Sequence, residues 1–187
     1  MIKQLLQRLT DTSNGGRRLP WITRKVMAWI SGFDADKYWR RQYAVANPNS
    51  KVNPLLIAYY LLWIKHVDNK HNCSFGTTFN RGMKFITPPN LPHGLNGIIV
   101  GRDARIGRGC TIYHQVTIAG GGVVIGDYVE LGAGAKVLPH VKIGNHVHVG
   151  ANCVVVEDIP DYATVVLQKP RIINKNIDGS ESKAIEL

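Results

Sequence analysis

Ile125-Gly126-Asp127-Tyr128-Val129-Glu130-Leu131-Gly132-Ala133-Gly134-Ala135-Lys136-Val137-Leu138 counts in sixes. An aliphatic residue opens each hexad (Ile125, Leu131, Val137), and a small or branched residue takes the fifth place (Val129, Ala135). The count extends backwards through Ile118, Ile112, Ile106 and Val100 after a one-residue slip, and forwards through Ile143, Val149 and Val155. Glycine follows the aliphatic residue at Gly101, Gly107, Gly126, Gly132, Gly144 and Gly150. A helix of 3.6 residues per turn cannot hold a strict period of six, whereas short strands joined by tight turns can, three hexads closing one triangular coil. The reading is a parallel β-helix with the aliphatic and fifth places facing inward, its coils stacked about 4.8 Å apart, and glycine supplying backbone freedom at the corners.

The repeat breaks twice. Thr87-Pro88-Pro89-Asn90-Leu91-Pro92-His93-Gly94 cannot continue a ladder strand, so the chain leaves the coil here and returns by Ile98. Ala119-Gly120-Gly121-Gly122 precedes the slip, which is read at Val123 or Val124. Its glycines allow close approach of a ligand, and its N–H groups can meet phosphate or carbonyl oxygens; a simple bulge is the plainer account. The count carries back to Phe85, Phe79 and Cys73, putting Cys73 at an inward rung.

Before the hexads the chain reads as helical: a short amphipathic stretch over residues 2–9, a segment over 20–30, one over 34–46, and one opened by Asn53 as N-cap with Pro54 at the first helical position. The expected organisation is a small α-helical domain over 1–70, a β-helix over 71–173 and a polar tail over 174–187. Trp21, Trp29, Trp39, Tyr59, Tyr60 and Trp63 read as packing between helices or subunits, with a membrane-interface belt as the other reading. The start, residues 1–9, has no long apolar core of a secretory signal, no apolar run approaches a membrane span, and cytoplasm is the expected compartment.

A net charge of +10 is spread out, with some concentration at Arg17, Arg18, Arg24, Lys25, Arg40 and Arg41. No aromatic-interleaved basic motif accompanies it, so nucleic acid is not expected as a partner. A solvated helical face, attraction of polyanionic ligands and peripheral contact of the leading helices with an acidic membrane all remain open. Cys73, Cys110 and Cys153 lack metal or redox spacing and read as small core residues.

Of seven histidines, His66 and His71 at the end of the last helix are expected to face solvent, and His140, His146 and His148 fall on outward places. That leaves His93 on the extruded loop and His114 near the glycine run. No G-x-S-x-G, P-loop or G-x-G-x-x-G is present. A histidine beside a glycine-lined groove can remove the proton of a hydroxyl as it attacks an acyl thioester, a backbone N–H of the glycine run meeting the oxyanion.

The hexads, the loop Leu91-Pro92-His93-Gly94-Leu95-Asn96-Gly97-Ile98-Ile99-Val100-Gly101, the phrase Val116-Thr117-Ile118-Ala119-Gly120-Gly121 and the stretch quoted first together resemble the hexapeptide-repeat acyltransferases of the serine acetyltransferase group. Residues 149–155 and 165–173 are similar to that group's last coil and its C-terminal cover. The resemblance implies a left-handed β-helix, a homotrimer, acetyl-coenzyme A as co-substrate between neighbouring subunits, and no metal. It makes His93 the base that deprotonates the acceptor hydroxyl and His114 a polar group facing the acceptor; Asn72 stands where the group's orienting carboxylate is expected. Ala119, Gly120 and Gly121, with Ala133 and Ala151, match positions along the pantetheine arm, and Lys169 and Arg171 fall near positions that meet the phosphates. Only Gly122 and Val123 follow the glycine strip, where serine-specific members carry a longer loop with an Arg-His pair. The expected acceptor is therefore a hydroxyl of a sugar or exopolysaccharide precursor. Serine O-acetylation is the alternative, a γ-carbonic-anhydrase-like zinc enzyme with three converging histidines a more distant one, and a catalytically inactive scaffold the last.

Overall fold

The structure, a computed structural model, describes Trp29 and residues 32–169. The helices expected over 2–9 and 20–30, the basic residues Arg17, Arg18, Arg24 and Lys25, the site candidate Arg171 and the tail lie outside the described residues.

Two helices lead. Helix α1 (Ala35–Ala46) is capped by Asp34, whose carboxylate accepts from the Lys37 N–H at 3.0 Å. Helix α2 (Pro54–Lys70) is capped by Asn53, which accepts from the Leu55 N–H at 2.9 Å, with Pro54 contributing no donor in the first turn. Neither is long and apolar enough to cross a membrane.

The hexads then wind a left-handed β-helix. Its strands are two residues long: β1 (Lys84–Phe85), β2 (Ile99–Val100), β3 (Arg105–Ile106), β4 (Thr111–Ile112), β5 (Thr117–Ile118), β6 (Val124–Ile125), β7 (Glu130–Leu131), β8 (Lys136–Val137), β9 (Lys142–Ile143), β10 (His148–Val149), β11 (Val154–Val155) and β12 (Thr164–Val165). They stack in parallel as three faces, β1-β3-β6-β9, β4-β7-β10-β12 and β2-β5-β8-β11. Every aliphatic rung from Val100 to Val155 is buried, as are the fifth places from Ala104 to Cys153. The second residue of each strand points inward and the first outward, the ordinary alternation of a strand.

Three corners join the faces. The glycine corner, from the third face to the first, stacks residues 101–104, 119–123 and 138–141. The ladder corner, from the first face to the second, stacks 107–110, 126–129, 144–147 and 160–163. The histidine corner, from the second to the third, stacks 91–98, 113–116, 132–135, 150–153 and 166–169.

Glycine's part at these corners differs from the expected one. Positive φ falls on the fourth place of the hexad, where it is borne by Gln115 (59°), Tyr128 (57°), His140 (66°), His146 (55°) and Asn152 (58°) as well as by Gly109 and Gly134. The glycines after the aliphatic rung are needed for space: a Cβ on Gly126 would lie 2.6 Å from the carbonyl oxygen of Gly144 in the coil above. The slip is also displaced. Val123 accepts from the Arg105 N–H and Val124 donates to Val141, so both are in register and the extra residue sits within the glycine run itself.

The ladder corner is held by side chains reading the backbone of the coil below. The N–H of Arg108 donates to Asp127 Oδ1 (2.7 Å), that of Asp127 to Asn145 Oδ1 (2.9 Å), and that of Asn145 to Asp161 Oδ1 (2.7 Å). The last of these bonds, with the Asn145 amide, holds the Asp161 carboxyl below the usual range. Beside them the His146 ring stacks between Tyr128 and Tyr162, with centroids 5.1 and 5.0 Å apart.

The first coil departs from the backward count. Ser74 bridges to Ile99, so Phe75 rather than Cys73 stands level with Val100, and Phe79 is 59% exposed. Residues 76–83 turn back on themselves through Thr78 and Arg81, which no six-residue count accommodates. The helices close this end of the core: Trp39 packs edge-on against Phe75 (5.0 Å) and Phe85 (5.4 Å), and the Arg41 guanidinium lies 4.3 Å from the Trp63 ring centre.

Under that lid, Tyr38 donates to Asp68 Oδ1 at 2.5 Å and the Cys73 thiol lies 3.7 Å from the same oxygen. Burial pushes the Cys73 thiol up to about 12, so it is an inert core group. Burial also raises the Asp68 carboxyl, against the opposing bond from Tyr38. In the window above the ordinary carboxylate range the native state therefore holds a proton that the unfolded chain has released, and stability falls as pH rises through it. Asp68→Asn is expected to flatten that slope in urea unfolding between about pH 4 and pH 7; equal slopes for the two proteins would exclude it.

Candidate active site

The His93 loop owes its shape to anchors at both ends. Leu95 and Ile98 are fully buried, and Gly94 and Gly97 take φ of 69° and 67°. The Asn96 amide donates to the His93 carbonyl at 3.0 Å, the Gly97 N–H to His71 O at 3.1 Å and the Gln115 N–H to Asn96 O at 2.9 Å. The loop is thereby tied to the end of α2 below and to the next coil above.

This fixes His93 against His114, with the two Nδ1 atoms 2.7 Å apart and the ring centres 4.8 Å apart. The edge of Tyr113 meets the His93 ring at 5.5 Å. A bond between two Nδ1 atoms needs one proton between them. With the proton on His93, its Nε2 is an unprotonated base and His114 is the acceptor that fixes the tautomer. In that tautomer His114, expected to face the acceptor, also orients His93.

Both histidines line a pocket of about 620 Å³ with Lys70, His71, Asn72, Asn96, Gly97 and Gln115. Asn72 (φ 49°) shares the pocket, and no carboxylate is among its lining residues. His71 corrects an expectation: it is half-buried here, its Nε2 lacks a partner among the described residues, and burial, then Lys70, lowers its pKa. A helix-terminal position gave no sign of this, since the return of the loop over α2 is what covers the ring. Among the described residues no three His, Cys, Asp or Glu side chains group as metal ligands.

Above the histidines the same corner carries small residues. Ala133 and Ala151, with Gly132 and Gly150, line a groove of about 380 Å³ running from Tyr113 to Thr164, flanked by His148 and Glu130 at 3.3 Å from one another. Lys169, exposed, follows at the top of the corner. Ala119, Gly120 and Gly121 are elsewhere, on the glycine corner. There the N–H groups of Gly121 and Gly122 donate to the two carboxylate oxygens of Asp103 (3.2 and 3.1 Å), so those donors are engaged and not open to an oxyanion as expected.

Residues 122–156 match the bacterial transferase hexapeptide (six repeats) family. The serine acetyltransferase of Mycobacterium tuberculosis is 42% identical over 87 residues, 43% of this chain and 38% of that protein. The chain resembles the serine acetyltransferases. A solved serine acetyltransferase in complex with CoA superposes with a TM-score of 0.56 at 26% identity, over 72% of this chain and 53% of that one. Serine acetyltransferase isoform 3 from Entamoeba histolytica, in complex with cysteine, shares the fold with a TM-score of 0.64 at 23% identity, over 93% of this chain and 61% of its own. The chain thus spans less than two thirds of the length of each of these serine acetyltransferase-like relatives.

Proposed function

We propose that the chain is an acetyl-coenzyme A-dependent O-acetyltransferase with L-serine as its first-choice acceptor. The observation that carries the reading is the His93–His114 pair, which, with the shared proton on His93, leaves His93 Nε2 as a base beside an open pocket. Nε2 takes the hydroxyl proton as the oxygen attacks the thioester carbonyl. The C–S bond then breaks, and the same nitrogen returns the proton to the departing thiolate. The imidazolium formed on the way is stabilised by its Nδ1–H bond to His114. Ala133 and Ala151 supply a flat wall for the thioester's arm and Lys169 a cation for its phosphates; Arg171 keeps the role the resemblance gives it, while the orienting duty expected at Asn72 passes to His114 and Asn72 is left as a polar wall of the pocket. Ala119 to Gly121 reach the same arm only from a second copy, which supports the trimer.

The similarity to serine acetyltransferases puts serine ahead of the sugar hydroxyl expected from the short segment after Gly121. A sugar acceptor keeps one supporting observation, the lack of a carboxylate in the histidine pocket to meet an amino acid's ammonium group. Release of free coenzyme A with L-serine and a panel of nucleotide sugars tests the reading. Turnover with serine is expected; turnover with sugars alone replaces serine, and none with any hydroxyl removes the activity.

A further inference from the structure

The groove above the histidines and the pocket around them are separated by one side chain. Tyr113 lines the groove and not the pocket, and its ring stands edge-on to His93 with centres 5.5 Å apart. Its place in the repeat makes it the groove's lower end. The residue after the aliphatic rung is Gly132 and Gly150 in the two coils above, and Tyr113 in this one. The channel left by two residues without side chains therefore ends on an aromatic ring. Two neighbours hold that ring. The Glu130 carboxylate, one rung up on β7 and 3.3 Å from His148 Nδ1, raises the Tyr113 hydroxyl above its usual range by its charge, with burial adding to this, so the phenol keeps its proton and can donate it to that carboxylate. The His93 ring meets it from the loop side.

The height of the corner decides what reaches the ring. The rungs Thr111, Glu130, His148 and Thr164 stack in register, so from the level of Tyr113 to that of Lys169 the corner climbs three coils, about 14 Å. An extended chain of about a dozen bonds spans the same distance, and that is the length of the arm joining the sulfur of coenzyme A to its pyrophosphate. With the phosphates at Lys169, the sulfur comes level with Tyr113. A thioester prolongs the arm, so its acyl carbons run down the groove against the ring, while the carbonyl lies at the ring's rim within reach of a hydroxyl held by His93.

Resting on the acetyl-transfer reading above, we infer that the Tyr113 ring is the stop that sets the acyl length of the donor, admitting acetyl and excluding longer chains. The acetyl methyl packs against the ring. Each further methylene must push the ring towards Glu130 or His93, and a side chain held between such neighbours yields only at a cost. Tyr113 is thus a specificity-determining residue on the donor side, whatever hydroxyl the acceptor carries.

The experiment measures kcat/KM for acetyl-, propionyl- and butyryl-coenzyme A, with the acceptor that turns over, in the full-length protein and in its Tyr113→Ala and Tyr113→Phe variants. The wild type should prefer acetyl to propionyl by about 10- to 100-fold, the discrimination one methylene supports, and butyryl should fare worse still. Tyr113→Ala should cut the acetyl-to-butyryl ratio at least about 10-fold, with butyryl turnover itself rising. Tyr113→Phe, which keeps the ring, should keep the preference. A residue that only anchored the His93 loop would slow all donors alike, so the ratio separates the two roles. Calorimetric binding of the same three donors reads that ratio without turnover, and so tests a Tyr113→Ala protein that has lost its rate. Acetyl transfer by a wild type indifferent to acyl length, an unchanged ratio in Tyr113→Ala, or a ratio lost equally in Tyr113→Phe overturns the inference and leaves the acetyl-transfer reading standing. No turnover with any donor and any acceptor overturns both.

Discussion

His93→Ala should lower kcat for acetyl transfer by about a thousandfold, with the acetyl-coenzyme A KM little changed, because it removes the proton acceptor and not the groove. His114→Ala should cost less, about 10- to 100-fold, since the base survives and only its tautomer and orientation are lost. The 2.7 Å Nδ1···Nδ1 contact is itself symmetric, and the asymmetry rests on placing the shared proton on His93, the ring that the resemblance makes the base. Initial rates of thiol release under saturating acetyl-coenzyme A measure both. Near-normal turnover in His93→Ala would remove the base assignment, and a larger loss in His114→Ala than in His93→Ala would reverse the roles.

The largest effect on stability is expected at Gly101. A Cβ there runs into the backbone N and Cα of Gly120 and comes within 2.6 Å of the Ala119 carbonyl carbon, atoms of a ladder that cannot yield singly. Gly101→Val should destabilise by about 3 kcal/mol or more, a fall of about 10 °C in Tm. Gly94→Ala is the contrast. Its φ is 69° but nothing lies within 4 Å of the added carbon, so its cost is the backbone strain alone, about 1 kcal/mol. Thermal unfolding of the two variants separates crowding from conformation; a larger fall for Gly94→Ala would invert that account.

The coil was legible because its rule is local. Each aliphatic rung from Val100 to Val155 is buried for the reason its spacing gives, and the breaks at His93 and Gly120 stood out against that regularity. Three things needed the fold. Phe75 replaces Cys73 on the first rung because the chain doubles back at Thr78 and Arg81 before the six-count applies. His71 joins the pocket because a loop more than 20 residues later folds over it, a contact no periodicity encodes. The division of the candidate residues between the histidine and glycine corners depends on how many hexads separate them, which a one-dimensional motif match does not register. Asn72 marks the limit in the other direction: it shares the pocket with His93, but the side chains around it there are the amides of Asn96 and Gln115, Lys70 and histidines, with no carboxylate of the kind the resemblance implied.

The ladder corner has a direction. At each level a backbone N–H below is received by a side chain above, Arg108 by Asp127, Asp127 by Asn145, Asn145 by Asp161. The Arg108, Asp127 and Asn145 N–H groups are thus each received by a side chain of the next turn, whereas the N–H groups of Tyr128, His146 and Tyr162 are received by carbonyls of the turn before. A chain emerging from its N-terminal end presents these donors without their side-chain acceptors until a further 19, 18 and 16 residues have followed, the spacings of the three bonds. The side-chain half of the corner therefore closes by whole turns, each opening N–H gaining its carboxylate or amide acceptor only when the next turn arrives, and a cut just before Asp161 would reopen the corner at Asn145.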